Sequence, residues 1–180
     1  FFCVVPVATL AAVWLLISLP SFKAERQAGS GNALRLMKQL PVALGMIAVS
    51  VFFMGQFMLF TYLRPFLEGV TGVSVSTLSF MLLGLGVAGF VGTFLIERFI
   101  GNGLYRTLTV IPLVMAVIAM ALVSVGASPV LTALLLGLWG LVATAAPVGW
   151  WTWLAQTLPD DAEAGGGLLV AIVQLAIAGG

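Results

Sequence analysis

The chain has 180 residues, 62% of them apolar and only 7% charged, with a formal net charge of +1 at pH 7. A soluble domain carries about a quarter charged residues, so the composition excludes a water-soluble globule and identifies an integral membrane protein, all-α in class. The absence of histidine and the single cysteine, Cys3, exclude an intrachain disulfide and leave no expectation of a cofactor, a metal or a histidine-dependent catalytic centre; no nucleic-acid partner is expected.

Taken in order, Phe1 to Pro20 is uncharged and lacks the basic start and small-residue cleavage site of a signal peptide, which predicts a membrane span. Ser21 to Leu40 is the most hydrophilic stretch, with Lys23, Glu25, Arg26, Arg35 and Lys38 around Gly29-Ser30-Gly31-Asn32. Leu34, Met37 and Leu40 are spaced like one apolar face of a helix lying along the interface. Lys23 to Asn32 reads as a solvated linker.

The second predicted span runs from Pro41 to Leu63. Lys38 and Arg64 bracket 25 residues without a charge, enough to cross a hydrocarbon layer of about 30 Å at about 1.5 Å per residue. Its end, Gly55 to Pro65, reads G-Q-F-M-L-F-T-Y-L-R-P. Gln56 places an amide where lipid satisfies neither its donors nor its acceptor. Two readings stand for it: contact with a substrate, or a hydrogen bond that ties helices together. Thr61 and Tyr62 extend the polar patch and are counted as candidate contacts, with an aromatic-belt role also open for Tyr62. Arg64 and Glu68 form an interfacial anchor or gate pair, and Pro65 predicts that the helix bends or ends at Arg64.

A turn around Glu68 to Gly72 leads to a third span, near Val75 to Ile96, in which Gly84, Ala88 and Gly92 mark a small-residue stripe for close helix packing. Glu97 to Arg106 reads as a short charged turn. The next 53 residues, Thr107 to Pro159, carry no charge. They are too long for one crossing, and Gly126-Ala127-Ser128-Pro129 supplies a hairpin. Span four is therefore Thr107 to Val125 and span five Val130 to about Trp153. Within span five, T-A-A-P-V-G-W-W-T-W (Thr144 to Trp153) combines a kink at Pro147 and Gly149 with three tryptophans. These suit either an inner aromatic belt or a stacking face for a planar ligand. Trp150 and Trp151, being adjacent, point in different directions. Asp160, Asp161 and Glu163 form the next loop. Span six starts at Ala164 and holds Gln174, a second isolated amide.

Six of the seven basic residues, Lys23, Arg26, Arg35, Lys38, Arg98 and Arg106, fall in the loops after spans one and three. The positive-inside rule puts those loops in the cytoplasm. No carboxylate or base lies inside a predicted span; proton-coupled pumps commonly use one, so either that machinery is expected elsewhere in a longer polypeptide or a substrate would move by another coupling. The start at Phe1-Phe2 and the end at Gly179-Gly180 inside an apolar run carry the same expectation of a fragment.

These residues carry a resemblance. G-T-F-L-I-E-R-F-I-G, Gly92 to Gly101, resembles the glycine–acid–basic signature in the cytoplasmic loops of major facilitator superfamily transporters. It departs from that signature in having Glu97 for the more typical Asp, Ile100 before the glycine, and few basic residues after Gly101. Gly55 to Pro65, Pro147 to Trp153 and V-A-I-V-Q-L-A (Val170 to Ala176) resemble the drug:proton antiporter branch, most closely its bacterial efflux pumps for purine ribonucleosides. The resemblance implies helices six to eleven of a twelve-helix fold. Residues 1–20 would be the helix before the central loop, 21–40 the central cytoplasmic loop, and 41–180 an incomplete C-terminal bundle.

It further implies a multi-pass protein of the bacterial inner membrane, partnered by lipid and by the N-terminal half of the same polypeptide. Protons would drive efflux of a small molecule. Spans two and five would line the central cavity, and Gln56, Thr144, Trp150 and Gln174 would hydrogen-bond or stack with a purine. Arg64, Glu68, Gly92, Glu97, Arg98 and Gly101 would serve gating and loop roles. Export of sugars or drugs is the alternative within the same superfamily. A membrane-embedded enzyme would need a nucleophile, acid or metal cluster that the sequence does not offer, and a non-transporting scaffold is the remaining reading.

Overall fold

A computed structural model describes residues 4–18 and 33–180. Helix α1 spans Val4–Ser18, with an apolar stretch at Ala8–Ser18; the remaining ends of the first predicted span, and the linker Lys23 to Asn32, lie outside the described residues. Helix α1 falls in one unit of the chain and the helices that follow it in a second. In that second unit come α2 (Ala33–Leu36), α3 (Leu40–Gly69), α4 (Val75–Val125), α5 (Pro129–Ala143), α6 (Ala146–Thr157) and α7 (Ala162–Gly179).

The described helices include five long and apolar enough to cross a membrane: α3, the two halves of α4 (Val75–Gly101 and Gly103–Val125, hereafter α4a and α4b), α5 with α6 (Pro129–Thr157), and α7. Among the described residues there is no strand. Every backbone group in a bilayer must be satisfied within its own segment or by a closed sheet, and these long apolar helices meet that demand.

Four local expectations are corrected. The interfacial helix is a single turn, α2, followed by a turn at residues 37–38; Leu36 is the residue buried, while Met37 is half-buried and Leu40 exposed. Helix α3 continues through Arg64 and Pro65 to Gly69. Proline removes one hydrogen bond, here to the Thr61 carbonyl, but Leu63 and Leu67 on either side of it are buried and hold the helix against the core. The turn that does end α3 uses Gly72 at φ +68, and Ser74 then caps α4, its hydroxyl accepting from the Thr77 N–H at 3.3 Å.

The charged stretch Glu97 to Arg106 is helical almost throughout. Its reversal is confined to Gly103, φ +152 and ψ 90, a conformation open to glycine and strained for any other residue. The Thr107 hydroxyl lies within donating distance of two carbonyls, Phe99 at 3.1 Å before the break and Gly103 at 3.0 Å at the break itself. The break in span five falls at Thr144–Ala145, one turn before Pro147. That is where a proline acts, because it leaves the carbonyl four residues earlier, at Ala143, without a donor.

Packing follows the apolar stripes. Along α3, Val42, Met46, Val49, Phe53, Gln56, Leu63 and Leu67 are buried at helical spacing. Helix α3 packs chiefly on α7, α4 on α5 and α6, and α6 also meets α3, α5 and α7. The close α4–α5 approach uses only part of the small-residue face expected: a side chain at Gly92 would meet the Leu141 backbone and one at Gly140 the Leu85 backbone, whereas Gly84 and Gly86 face open space. Gly89 faces Thr144 in the same seam.

Candidate functional site

Gln56 stands in the middle of the buried stripe of α3, 7% exposed, with its side-chain oxygen lacking any hydrogen-bond partner. One helical turn earlier, Phe52 packs its ring 6.2 Å from Trp150 of α6, and Trp150 in turn meets Trp153 edge-on at 6.0 Å. Trp153 lies over Gly45 of α3, where any side chain would overlap its ring. Glycine at that point is what lets α6 approach α3 closely enough to bring Trp150 beside Gln56's turn.

Gln56, Phe52 and Trp150 line one cavity of about 520 Å³, together with Ala48, Val51 and Gly55 of α3, Leu108, Pro112, Met115, Ala116 and Ala119 of α4b, and Trp139 of α5. Its volume is in the range of small-molecule sites. The lining carries no charged side chain. Three of its residues carry buried, unpartnered polar atoms: the Gln56 oxygen and the indole nitrogens of Trp139 and Trp150. Native interiors contain few such atoms, each costing about 1–3 kcal/mol, so three around one cavity mark it out. Pro112 adds another polar group, since it offers no N–H to the carbonyl of Leu108.

A second cavity of about 300 Å³ adjoins this one, sharing Gly55, Ala119 and Trp139 as a common wall, with Tyr62, Leu63 and Phe66 at its other end. A larger cleft, about 600 Å³, lies between α4a, α4b and α5 around Gly92, Phe99, Arg106 and Val142. No lining side chain of that cleft carries a buried unpartnered polar atom, which makes it the poorer candidate for specific recognition.

The predicted residues therefore divide. Gln56 and Trp150 come together on one cavity, and Tyr62, itself 64% exposed, borders its neighbour. Thr61 is exposed, and its hydroxyl donates to the Phe57 carbonyl of its own helix at 3.0 Å. Thr144 is exposed beside Gly89, away from the Gln56 cavity, and Gln174 is exposed on α7. Trp151 is about half exposed while Trp150 and Trp153 are buried, as their angular separation on a helix requires. Arg64 donates through Nε to Glu68 Oε1 at 2.9 Å, one turn on along an exposed face. Glu97, Arg98 and Gly101 are exposed near the Gly103 break, while Gly92 is buried in the α4–α5 seam.

Sequence reasoning missed Trp139. It lies on α5 and Trp150 on α6, across the break at Thr144–Ala145, so their spacing in the sequence gave no signal that they line one cavity. Among the described residues no group of three metal-binding side chains occurs.

The Major Facilitator Superfamily profile matches residues 1–180. The chain belongs to that superfamily. Within it, this superfamily member is 54% identical over 182 residues, 99% of its length, to "Transcription regulatory protein OpdE" of Pseudomonas aeruginosa, covering 45% of that protein. It is 38% identical over 167 residues to "Purine ribonucleoside efflux pump NepI" of Shigella sonnei and 37% identical to NepI of Escherichia coli K12, in each case over 93% of this chain and 42% of the relative. The chain thus spans less than half the length of these relatives. No solved structure matches it. The five long apolar helices fit a multi-pass membrane protein and a part of the superfamily's twelve-helix fold.

Proposed function

We propose that this chain is part of a secondary active exporter of the bacterial cytoplasmic membrane. It would work with the N-terminal half of the same polypeptide to expel a small molecule such as a purine ribonucleoside against inward proton flow. The observation that carries the reading is the cavity between α3, α4b, α5 and α6, where Gln56 and Trp150 present unpartnered polar atoms within an aromatic, uncharged lining. Amide and indole groups recognise by hydrogen bonding and stacking without fixing charge. The relatives named as purine ribonucleoside efflux pumps support this choice of substrate. Transport follows if two helix bundles rock around a site held near the midplane. The coupling proton needs an acid; the carboxylates within the described spans, Glu68, Glu97 and Glu163, stand near the span ends, and none lines this cavity.

The test is export of inosine from cells carrying the full-length protein. Gln56→Ala should cut export while membrane insertion stays intact; unchanged export would make Gln56 a packing residue and withdraw this site. Export of sugars or drugs is the alternative within the same mechanism, and a substrate panel separates it.

A second reading, that this chain takes part in regulating transcription, draws on the relative named as a transcription regulatory protein. The seven basic residues of this chain are divided among membrane-flanking segments, which gives DNA no continuous basic surface. Altered transcription that persists in an export-dead variant would favour this second reading.

A further inference from the structure

Trp139 and Trp150 share a feature that the rest of the bundle does not explain. Both indoles are buried, 3% and 7% exposed, both N–H groups lack a partner, and both residues line the cavity that holds the unpartnered Gln56 oxygen. A buried indole N–H is ordinarily paired. One helix could leave one such group unpaired by accident; two donors and one acceptor on a single cavity form a pattern.

We infer that Trp139 and Trp150 are paired hydrogen-bond donors of this cavity, selecting an uncharged solute that carries at least two acceptors and a donor for Gln56. This rests on the proposed export function and adds the rule by which substrates are chosen. The lining has no Lys, Arg, Asp or Glu, so a charged solute would lose its water with nothing to replace it. The three polar atoms are themselves shielded from solvent, so pairing them with a solute requires their side chains to rotate toward the cavity. Relief of three unpaired groups favours that rotation. Trp139 also forms part of the wall shared with the neighbouring cavity, so its rotation alters the partition between the two.

The experiment uses the full-length protein in proteoliposomes with inosine, 7-deazainosine (the N7 acceptor removed), 6-thioinosine (the carbonyl acceptor exchanged for a weakly accepting thiocarbonyl, the N1–H donor kept) and inosine 5′-monophosphate. Wild type should take inosine with an apparent affinity roughly 3- to 10-fold better than at least one acceptor-deleted analogue, the range expected of one neutral hydrogen bond. It should take the monophosphate at least ~100-fold more weakly. Trp139→Phe or Trp150→Phe, which keeps a flat ring and removes the N–H, should abolish that preference and leave KM for the matching analogue unchanged. A preference that survives both substitutions, or a loss spread evenly over all the nucleosides, overturns the inference.

The wild-type protein supplies a second readout that does not depend on either variant folding. With 15N-labelled tryptophan, two indole N–H signals should move on saturation with inosine, and one of the two should fail to move with the analogue that lacks its acceptor. Signals already hydrogen-bonded in the ligand-free full-length protein, and unmoved by inosine, would instead mean that another helix of the polypeptide occupies the cavity, and would sink the inference. Inosine export with the acceptor contrast intact in the Phe variants removes this inference alone; no inosine movement by wild type removes the proposed function with it.

Discussion

Gln56 sits where a leucine would be expected, on the core stripe of α3 between Phe53 and Leu63. Its oxygen is unpartnered, so Gln56→Leu removes a desolvated acceptor and fills the space with alkyl groups. Thermal stability of the variant should be unchanged or higher by about 1 kcal/mol, while inosine export falls at least tenfold; a drop in stability would show that the amide had a structural partner. Thr61→Ala should leave export within about twofold of wild type, because that hydroxyl is already bonded within its own helix at 3.0 Å. Gln56 was legible in the sequence because an amide in a run of apolar residues has few uses. Trp139 was not, because a lone tryptophan in a leucine-rich helix looks like any large apolar residue until its N–H is seen without an acceptor.

At the scale of elements, the helices were read correctly in number and order from α3 onward, and their joints were less so. Charges marked the membrane exits, but a helix does not stop where its charges begin: Glu97 to Gly101 stays helical and only Gly103 breaks the run. Gly103→Ala, forced to φ +152, should lower thermal stability by about 1–3 kcal/mol, measurable as a reduced melting temperature in detergent. The glycine stripe was legible as a packing motif, but which glycines touch depends on how far α5 is rotated, which no sequence spacing fixes. Gly92→Val should disrupt the α4–α5 seam and cut the yield of folded protein, because the new side chain meets the Leu141 backbone, which cannot yield as a side chain does. Gly84→Val, with open space beside it, should be tolerated within about 0.5 kcal/mol. Equal effects of the two substitutions would contradict the packing described here.

For the whole molecule, apolar side chains such as Phe80, Phe90, Phe94, Val117 and Val123 lie exposed on the outside of the helices, as a bilayer requires and water forbids. The positive-inside reading assigns the Asp160 loop to the cytoplasm and the turn at Val70 to the far side. In a Cys3→Ser background, a cysteine at Asp160 should react with an impermeant reagent only from the cytoplasmic side, and one at Val70 only from outside; the reverse pattern would invert the assignment. What the composition could not convey is where the bundle is hollow, because a cavity depends on α3, α4b and α5 failing to fill the space between them. The central claim is that this hollow holds the exported solute. It is tested most directly by loading full-length protein into proteoliposomes, imposing a pH gradient and following labelled inosine. Gradient-driven inosine movement, lost on adding a protonophore and reduced at least tenfold by Gln56→Leu, is the predicted result; gradient-driven movement that Gln56→Leu leaves untouched would contradict it.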